Sequence, residues 1–266
     1  MKRRKKSSKF SYVLLLMVLL GILAFLTQSL GVFKKDEEES VNSIYTITVS
    51  EDYVTELGSR VGNTTFEAKD GKTEMHFVGD GKGVIQPCAG ASLEFVNLTI
   101  VDSTSDVWTD LYGTYLRFGG EIKFTNCVFK NSIYLLNNAN MTFENCVFES
   151  GMTKHYSVWV ADGSASFINC TFKGYRGLKI NEFDDFYKVQ VGEQEDVETV
   201  IVSGCTFDNI SEKPGVCLGS FATNLENTLV SLVGNIFYGC EIYEDDDAFG
   251  IQFIEDDNQV IYEEDL

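Results

Sequence analysis

The chain has little proline, little histidine and, after its first 35 residues, little positive charge. Its 2 Pro lie outside the repeated strands described below, so nothing there interrupts the hydrogen-bond ladders of a β-sheet. The 2 His, His76 and His155, stand apart in the sequence with no matching Ser or Cys pattern beside them. A nucleophile and base constellation is therefore not indicated by the sequence.

Residues 1–35 differ in composition from the rest of the chain. They hold 8 of the 21 Lys and Arg and no Asp or Glu, and residues 12–33 form a run of 22 residues without a formal charge. A membrane-spanning helix needs about 20 apolar residues. We therefore predict a basic cytoplasmic tail over 1–11 and a single-pass transmembrane anchor over 12–33, with the remainder outside the cell. The alternative is a signal peptide cut after Ser29 or Gly31, which would make the protein secreted.

The exported part is strongly acidic. Residues 36–266 carry 13 Lys and Arg against 40 Asp and Glu, a net charge of −27. A surface of this sign repels phosphate backbones and anionic lipid, which excludes nucleic acid as a partner. Calcium and cationic partners stay open, while solubility alone is a sufficient reason for the acidity. Residues 34–60 are predicted to be a spacer and an N-terminal cap.

One phrase of eight residues returns six times in the chain. Its third residue is apolar at every occurrence, at intervals of 19 to 35 residues, which is typical of a solenoid with loop insertions. Alternation of apolar and polar residues at its start predicts a strand with one buried face. The six copies are LEFVNLTI (93–100), IKFTNCVF (122–129), MTFENCVF (141–148), ASFINCTF (165–172), VIVSGCTF (200–207) and VSLVGNIF (230–237).

The fifth position of the phrase is always Asn or Gly. These are the residues that most readily adopt a left-handed backbone conformation, so we predict a sharp corner there, followed by a second inward-facing strand. Coils stacked along an axis need the same corner in every turn, whereas a flat hairpin does not. The residues are Asn97, Asn126, Asn145, Asn169, Gly204 and Gly234.

A further short strand accompanies most copies and gives three strands per turn. The candidates are TYLRF (114–118), SIYLL (132–136), SVWVA (157–161), GLKIN (177–181), GVCLG (215–219) and GIQFI (250–254). With its Asn corner and Phe ladder, the chain resembles the right-handed parallel β-helix superfamily, which includes pectate lyases, polygalacturonases and many tailspike and surface proteins. We therefore predict an all-β fold: a right-handed parallel β-helix (solenoid) over 61–266 that follows the N-terminal transmembrane helix.

Four of the 7 Cys, namely Cys127, Cys146, Cys170 and Cys205, share the sixth position of the phrase. Strands in register lie about 4.7–4.9 Å apart, which is wider than a disulfide prefers, so we expect a stack of buried thiols. A linear stack without His also lacks the tetrahedral geometry of a zinc site, and no metal is assigned.

The alternation of the third strand set predicts one outward column with Arg117, Tyr134, Trp159 and Lys179, continued by Cys217 and Gln252. Aromatic faces beside cationic donors suit a sugar surface, because C–H faces stack on rings and carboxylates accept hydrogen bonds. The first four residues are the predicted carbohydrate-binding site. The competing interpretation is an ordinary solvated sheet face.

The predicted function is that of a membrane-anchored extracellular protein that binds polysaccharide or glycan on this face, with an extracellular glycan or a surface protein as partner. One alternative is a polysaccharide-degrading enzyme, either a lyase or a glycoside hydrolase, with carboxylates from the acidic insertion 181–199. The segment RGLK from Arg176 to Lys179 resembles the Arg-x-Lys of polygalacturonases, whose Asn-Thr-Asp, Asp-Asp and Gly-His-Gly motifs are missing. A structural or assembly module without catalysis is the second alternative.

No cofactor is predicted, although calcium stays open. The acidic clusters at 241–247 and 255–265 lack the spacing of a specific calcium loop. Their simpler role is to charge the open end of the β-helix, which discourages pairing with the edge of another sheet.

Overall fold

A computed structural model describes residues 44–49, 54–69, 73–79, 83–104, 116–150, 156–174, 176–180, 197–208, 215–218, 227–245 and 250–262. All of them belong to one unit, Ser43–Leu266. Among these residues no helix is long and apolar enough to cross a membrane. The predicted anchor, 12–33, lies outside the described residues.

The described strands are parallel and form three rows, named A, B and C in the order in which each full turn visits them. Row A contains Val54–Leu57 (β2), Val84–Pro87 (β5), the first parts of Leu116–Thr125 (β8) and Ile133–Glu144 (β10), Val158–Val160 (β12), Leu178–Ile180 (β15), Val216–Leu218 (β18) and Tyr243–Asp245 (β21). Row B contains Gly62–Glu67 (β3), Ala91–Val96 (β6), the second parts of β8 and β10, Gly163–Ile168 (β13), Val197–Ser203 (β16), Leu229–Val233 (β19) and Gln252–Asp256 (β22). Row C contains Ile44–Val49 (β1), Thr73–Gly79 (β4), Leu98–Thr104 (β7), Val128–Phe129 (β9), Val147–Ser150 (β11), Thr171–Gly174 (β14), Thr206–Asp208 (β17), Ile236–Tyr238 (β20) and Gln259–Ile261 (β23).

Each turn of the solenoid runs from row A through row B to row C, and each strand pairs with its equivalents in the turns before and after it. The predicted three strands per turn and the parallel arrangement are confirmed. Pairing begins earlier than residue 61, because β1 pairs with β4 and β2 pairs with β5. These early strands lack the full phrase that identifies the later coils.

The C-terminal coil departs from the sequence prediction. Segment 250–254 was expected in the third strand set, yet β22 pairs with β19 in row B. Its register aligns 253–260 with the phrase, so the chain contains a seventh copy, in which Glu255 takes the apolar third position. Glu255 is exposed, and among the described strands β22 pairs with β19 alone. The row A strand of this coil is β21 instead, with Glu244 opposite Cys217.

The corner between rows B and C is left-handed, as predicted. Asn97, Asn126, Asn145 and Asn169 have φ between 52° and 57°, and Gly204 and Gly234 have φ of 62° and 65°. Asp257 occupies the same corner in the seventh copy with φ of 52°. The backbone N–H of each corner residue from Asn97 to Gly234 donates to a carbonyl of the next coil, which keeps successive corners aligned.

Two ladders of stacked phenylalanine rings run through the core, beside buried aliphatic side chains such as Ile122 and Val160. In row B, neighbouring rings from Phe66 to Phe167 lie 4.9–5.2 Å apart between centroids, and in row C the rings from Phe129 to Phe237 lie 4.6–4.9 Å apart. The ladders meet edge to face, as between Phe143 and Phe148 at 5.4 Å. Both arrangements are favourable for aromatic pairs.

The cysteines of the phrase form the predicted column, and all 7 Cys, each among the described residues, are buried thiols outside any disulfide. Each thiol in the column donates to the carbonyl of the third phrase residue one coil earlier; Cys146 Sγ, for example, lies 3.5 Å from Phe124 O. Asn235 and Asn258 continue the column and donate to Val202 O at 3.0 Å and Leu232 O at 2.9 Å. Burial raises the pKa of the Cys146 thiol above its ordinary value, so the thiol stays neutral.

Length variation is unevenly distributed around the turn. From β6 onward, the connection between rows B and C contains one or two residues. The long connections adjoin row A: 105–115 precedes β8, 181–196 follows β15 and 219–228 follows β18. Loops on a rigid scaffold often carry function. The longest connections of the solenoid therefore lie next to row A.

Candidate functional site

The four predicted site residues lie side by side on row A. The ladder pairs Arg117 with Tyr134, Tyr134 with Trp159, and Trp159 with Lys179. Three strand spacings separate Arg117 from Lys179, about 14 Å along the axis. Cys217 follows as predicted, whereas Gln252 does not, because Glu244 takes that place. The prediction for Gln252 was wrong because it precedes the last copy of the phrase, in which Glu255 and Asp257 replace the residues that identify the other copies.

The outward column is largely buried, which contradicts the competing interpretation of an ordinary solvated sheet face. Tyr134, Trp159 and Lys179 are 5%, 7% and 8% exposed, and Arg117 is half-buried. Val84, Tyr134, Leu136, Trp159 and Ala161 form a second apolar cluster, separate from the main core. Row A is thus buried on both of its faces in β10, β12, β15 and β18. Alternation identifies the side chains that share a face, but it carries no information about whether that face is covered.

Close contacts join aromatic rings and cations on this face. The Lys179 ammonium lies 4.3 Å from the centroid of the Trp159 ring and 5.5 Å from that of Tyr156. The Arg176 guanidinium lies 5.2 Å from the Tyr156 ring, and Tyr134 meets Trp159 edge to face at 5.1 Å. We call these five residues the aromatic–cation cluster. A cation held against a ring away from water gains about 2 kcal/mol, which compensates part of its desolvation.

Tyr156 and Arg176 were not predicted as site residues. They occupy equivalent places in consecutive coils, two residues before β12 and two before β15, and the N–H of Ser157 bonds to Arg176 O at 2.9 Å. The signal was present in the sequence: YSVWV and RGLKI align so that each has an aromatic or cationic residue at its first and fourth positions. Within the described part of the chain, Arg176 Nε is buried without a hydrogen-bond partner.

No group of three or more His, Cys, Asp or Glu among the described residues is arranged to hold a metal ion. Most of the acidic insertion, residues 181–196, lies outside the described residues, together with the carboxylates predicted there. The cluster itself contains cationic hydrogen-bond donors that pack against aromatic rings. Such donors suit carboxylates, to which Arg binds through two parallel N–H groups.

The family described as right handed beta helix region matches residues 83–264. No curated protein and no solved structure matches the chain. The match covers the coils that carry the aromatic–cation cluster.

Proposed function

Because the chain belongs to the right-handed β-helix family, we propose that it is a membrane-anchored extracellular protein that binds polysaccharide beside row A. The uncharged run 12–33 supports single-pass anchoring, with the basic residues before it in the cytoplasm. If that run is cleaved, the same β-helix is secreted.

The observation that carries the binding proposal is the aromatic–cation cluster in an otherwise acidic chain. Arg117 and Arg176 are half-buried; the Arg176 guanidinium lies over the Tyr156 ring, and Arg117 is the ladder neighbour of Tyr134. Lys179 and Trp159 are too buried to receive a sugar directly and instead contact each other beneath the surface. The fitting ligand is a polysaccharide that bears carboxylates, since Arg recognises these through paired hydrogen bonds.

The test is titration of the full-length protein, in detergent micelles, with a polyuronate and with a neutral glucan. We expect polyuronate binding that weakens about tenfold or more in Arg117→Gln combined with Arg176→Gln, because a hydrogen bond to a charged group contributes about 1.5–3 kcal/mol. Lys173→Gln, an exposed lysine on β14 in row C, is the matched control and should bind as the wild type does. Unchanged binding in the double variant, or equal binding of the neutral glucan, would refute the assignment.

The second candidate is a polysaccharide-degrading enzyme. Its support is the position of Arg176 and Lys179 directly before the acidic connection 181–196, since lyase chemistry on uronates needs a base near charge-neutralising cations. Incubation with polyuronates and neutral glycans, with and without calcium, should then release unsaturated or reducing ends. Binding without product supports the binding protein, while neither binding nor product supports a structural module.

A further inference from the structure

His76 lies between a serine and a carboxylate on the outer face of row C. Its Nδ1 is 2.8 Å from Ser103 Oγ, and its Nε2 is 2.8 Å from Glu74 Oε2. The serine comes from β7 and the other two residues come from β4. The two strands are adjacent and parallel, although the serine and the histidine are 27 residues apart in sequence.

Strand geometry holds the three side chains together. Along β4, Met75 and Phe77 point into the core and are fully buried, so Glu74 and His76 share the outer face. Ser103 projects from the neighbouring strand and is exposed, while the side chains of His76 and Glu74 are 25% and 38% exposed. The serine is therefore accessible, and the imidazole is held from both sides.

The carboxylate determines the roles of the two ring nitrogens. An ionised Glu74 only accepts hydrogen bonds, so Nε2 of a neutral His76 carries the proton. Nδ1 is then the acceptor for the hydroxyl of Ser103. The chain thus contains a nucleophile within hydrogen-bond reach of a base, and the base is oriented by a third group, which is the arrangement that activates a serine.

We propose that Ser103, His76 and Glu74 form an acyl-transfer site that hydrolyses carboxylic esters. Ser103 Oγ attacks the ester carbonyl carbon as its proton passes to His76 Nδ1, and collapse of the tetrahedral intermediate breaks the bond to the alcohol, which leaves with that proton. Water then gives a proton to Nδ1 and attacks the acyl-serine. The acid departs as Ser103 Oγ takes the proton back, so ester and water become acid and alcohol.

The neighbouring residues indicate the size of the acyl group. Val78 pairs with Ser103 across the ladder, and Val101 pairs with His76. Both valines are half-buried on the same outer face and present a small apolar surface beside the nucleophile. This surface fits a short acyl chain such as acetyl, while the exposed position of Ser103 leaves room for a large alcohol. The proposal does not depend on glycan binding at row A.

The experiment treats the full-length protein with a fluorophosphonate probe, locates the adduct by mass spectrometry and measures hydrolysis of p-nitrophenyl acetate. We expect an adduct on Ser103 and loss of both labelling and hydrolysis in Ser103→Ala. In His76→Gln the hydrolysis rate should fall by at least about 10²-fold. Glu74 is a positioning residue, so Glu74→Gln should lower kcat while KM stays unchanged.

Ser231→Ala is the matched control, because this serine also lies on a strand but its ladder partners are Ile201 and Ile254. Labelling and hydrolysis should be unaffected in this variant. An unlabelled Ser103 in the wild-type protein, or a labelling rate unchanged by His76→Gln, would overturn the proposal. Since Ser103 and His76 are both at the surface, melting curves of the variants should match the wild type.

Discussion

Replacing Phe143 with alanine tests whether the stacked rings stabilise the solenoid. Phe143 is fully buried between Phe124 and Phe167, with centroids at 5.1 Å and 4.9 Å and ring planes within 4° of parallel. Truncation of a buried Phe costs about 3–5 kcal/mol, and each favourable aromatic pair adds about 0.5–1.5 kcal/mol. We therefore expect Phe143→Ala to lower the free energy of unfolding by at least about 4 kcal/mol, the low end of both ranges combined.

Phe66→Ala is the control at the first position of the same ladder. Phe66 is half-buried and stacks on Phe95 at 5.2 Å. With roughly half of the burial and one stacking partner, its loss should cost about 2 kcal/mol. Urea denaturation followed by circular dichroism gives both values. Hydrogen exchange in Phe143→Ala should increase first in β8, β10 and β13, because a solenoid transmits destabilisation to neighbouring coils. Equal losses in the two variants would refute the stacking argument.

Three further predictions concern the corner, the polar end of the thiol column and a buried thiol. Asn145→Ala should lower the free energy of unfolding by about 1–2 kcal/mol, because alanine is strained in the left-handed conformation at φ 54°. Asn145→Gly should lose much less stability, since glycine adopts this conformation without strain. Equal melting temperatures for the two variants would contradict this. Asn235→Ala should lower the free energy of unfolding by about 1–3 kcal/mol, because the N–H of Cys205 loses its acceptor at 2.8 Å. In urea titrations, Asn235→Cys should lower it by less, since Cys fills the equivalent place in preceding coils. Burial raises the pKa of Cys240 to about 11, so the unfolded chain ionises first and stability falls as pH rises from about 8.5 towards 11. Cys240→Ala should make that fall shallower in melts across this range, and an unchanged slope would count against the assignment.

The architecture was predictable because the residues that impose it are few and periodic. An Asn or Gly corner and an apolar third position recur in each of the six predicted copies, where the backbone bends and an apolar side chain enters the core. These residues identify rows B and C directly. The last copy carries no such signal, because Glu255 and Asp257 replace the apolar and corner residues; its place follows from the pairing of β22 with β19.

The sites were less predictable, for two physical reasons. Alternation on row A correctly aligned Arg117 with Lys179, but burial of that face depends on what packs over it, which period-two patterns do not encode. The contact between His76 and Ser103 depends on the register of β4 against β7. Register follows from the stacking of whole coils, so two polar residues 27 positions apart carry no local sign that they meet.

The constant corner between rows B and C gives this molecule a fixed pitch, while the connections beside row A vary freely in length. Each turn thus has one corner of constant length and another side on which the length of the connection differs from coil to coil. A peptide grafted into 181–196 or 219–228 would leave the corners and the phenylalanine ladders unchanged. The same property makes the solenoid a candidate display scaffold, on which successive segments are presented at multiples of one strand spacing, about 4.8 Å.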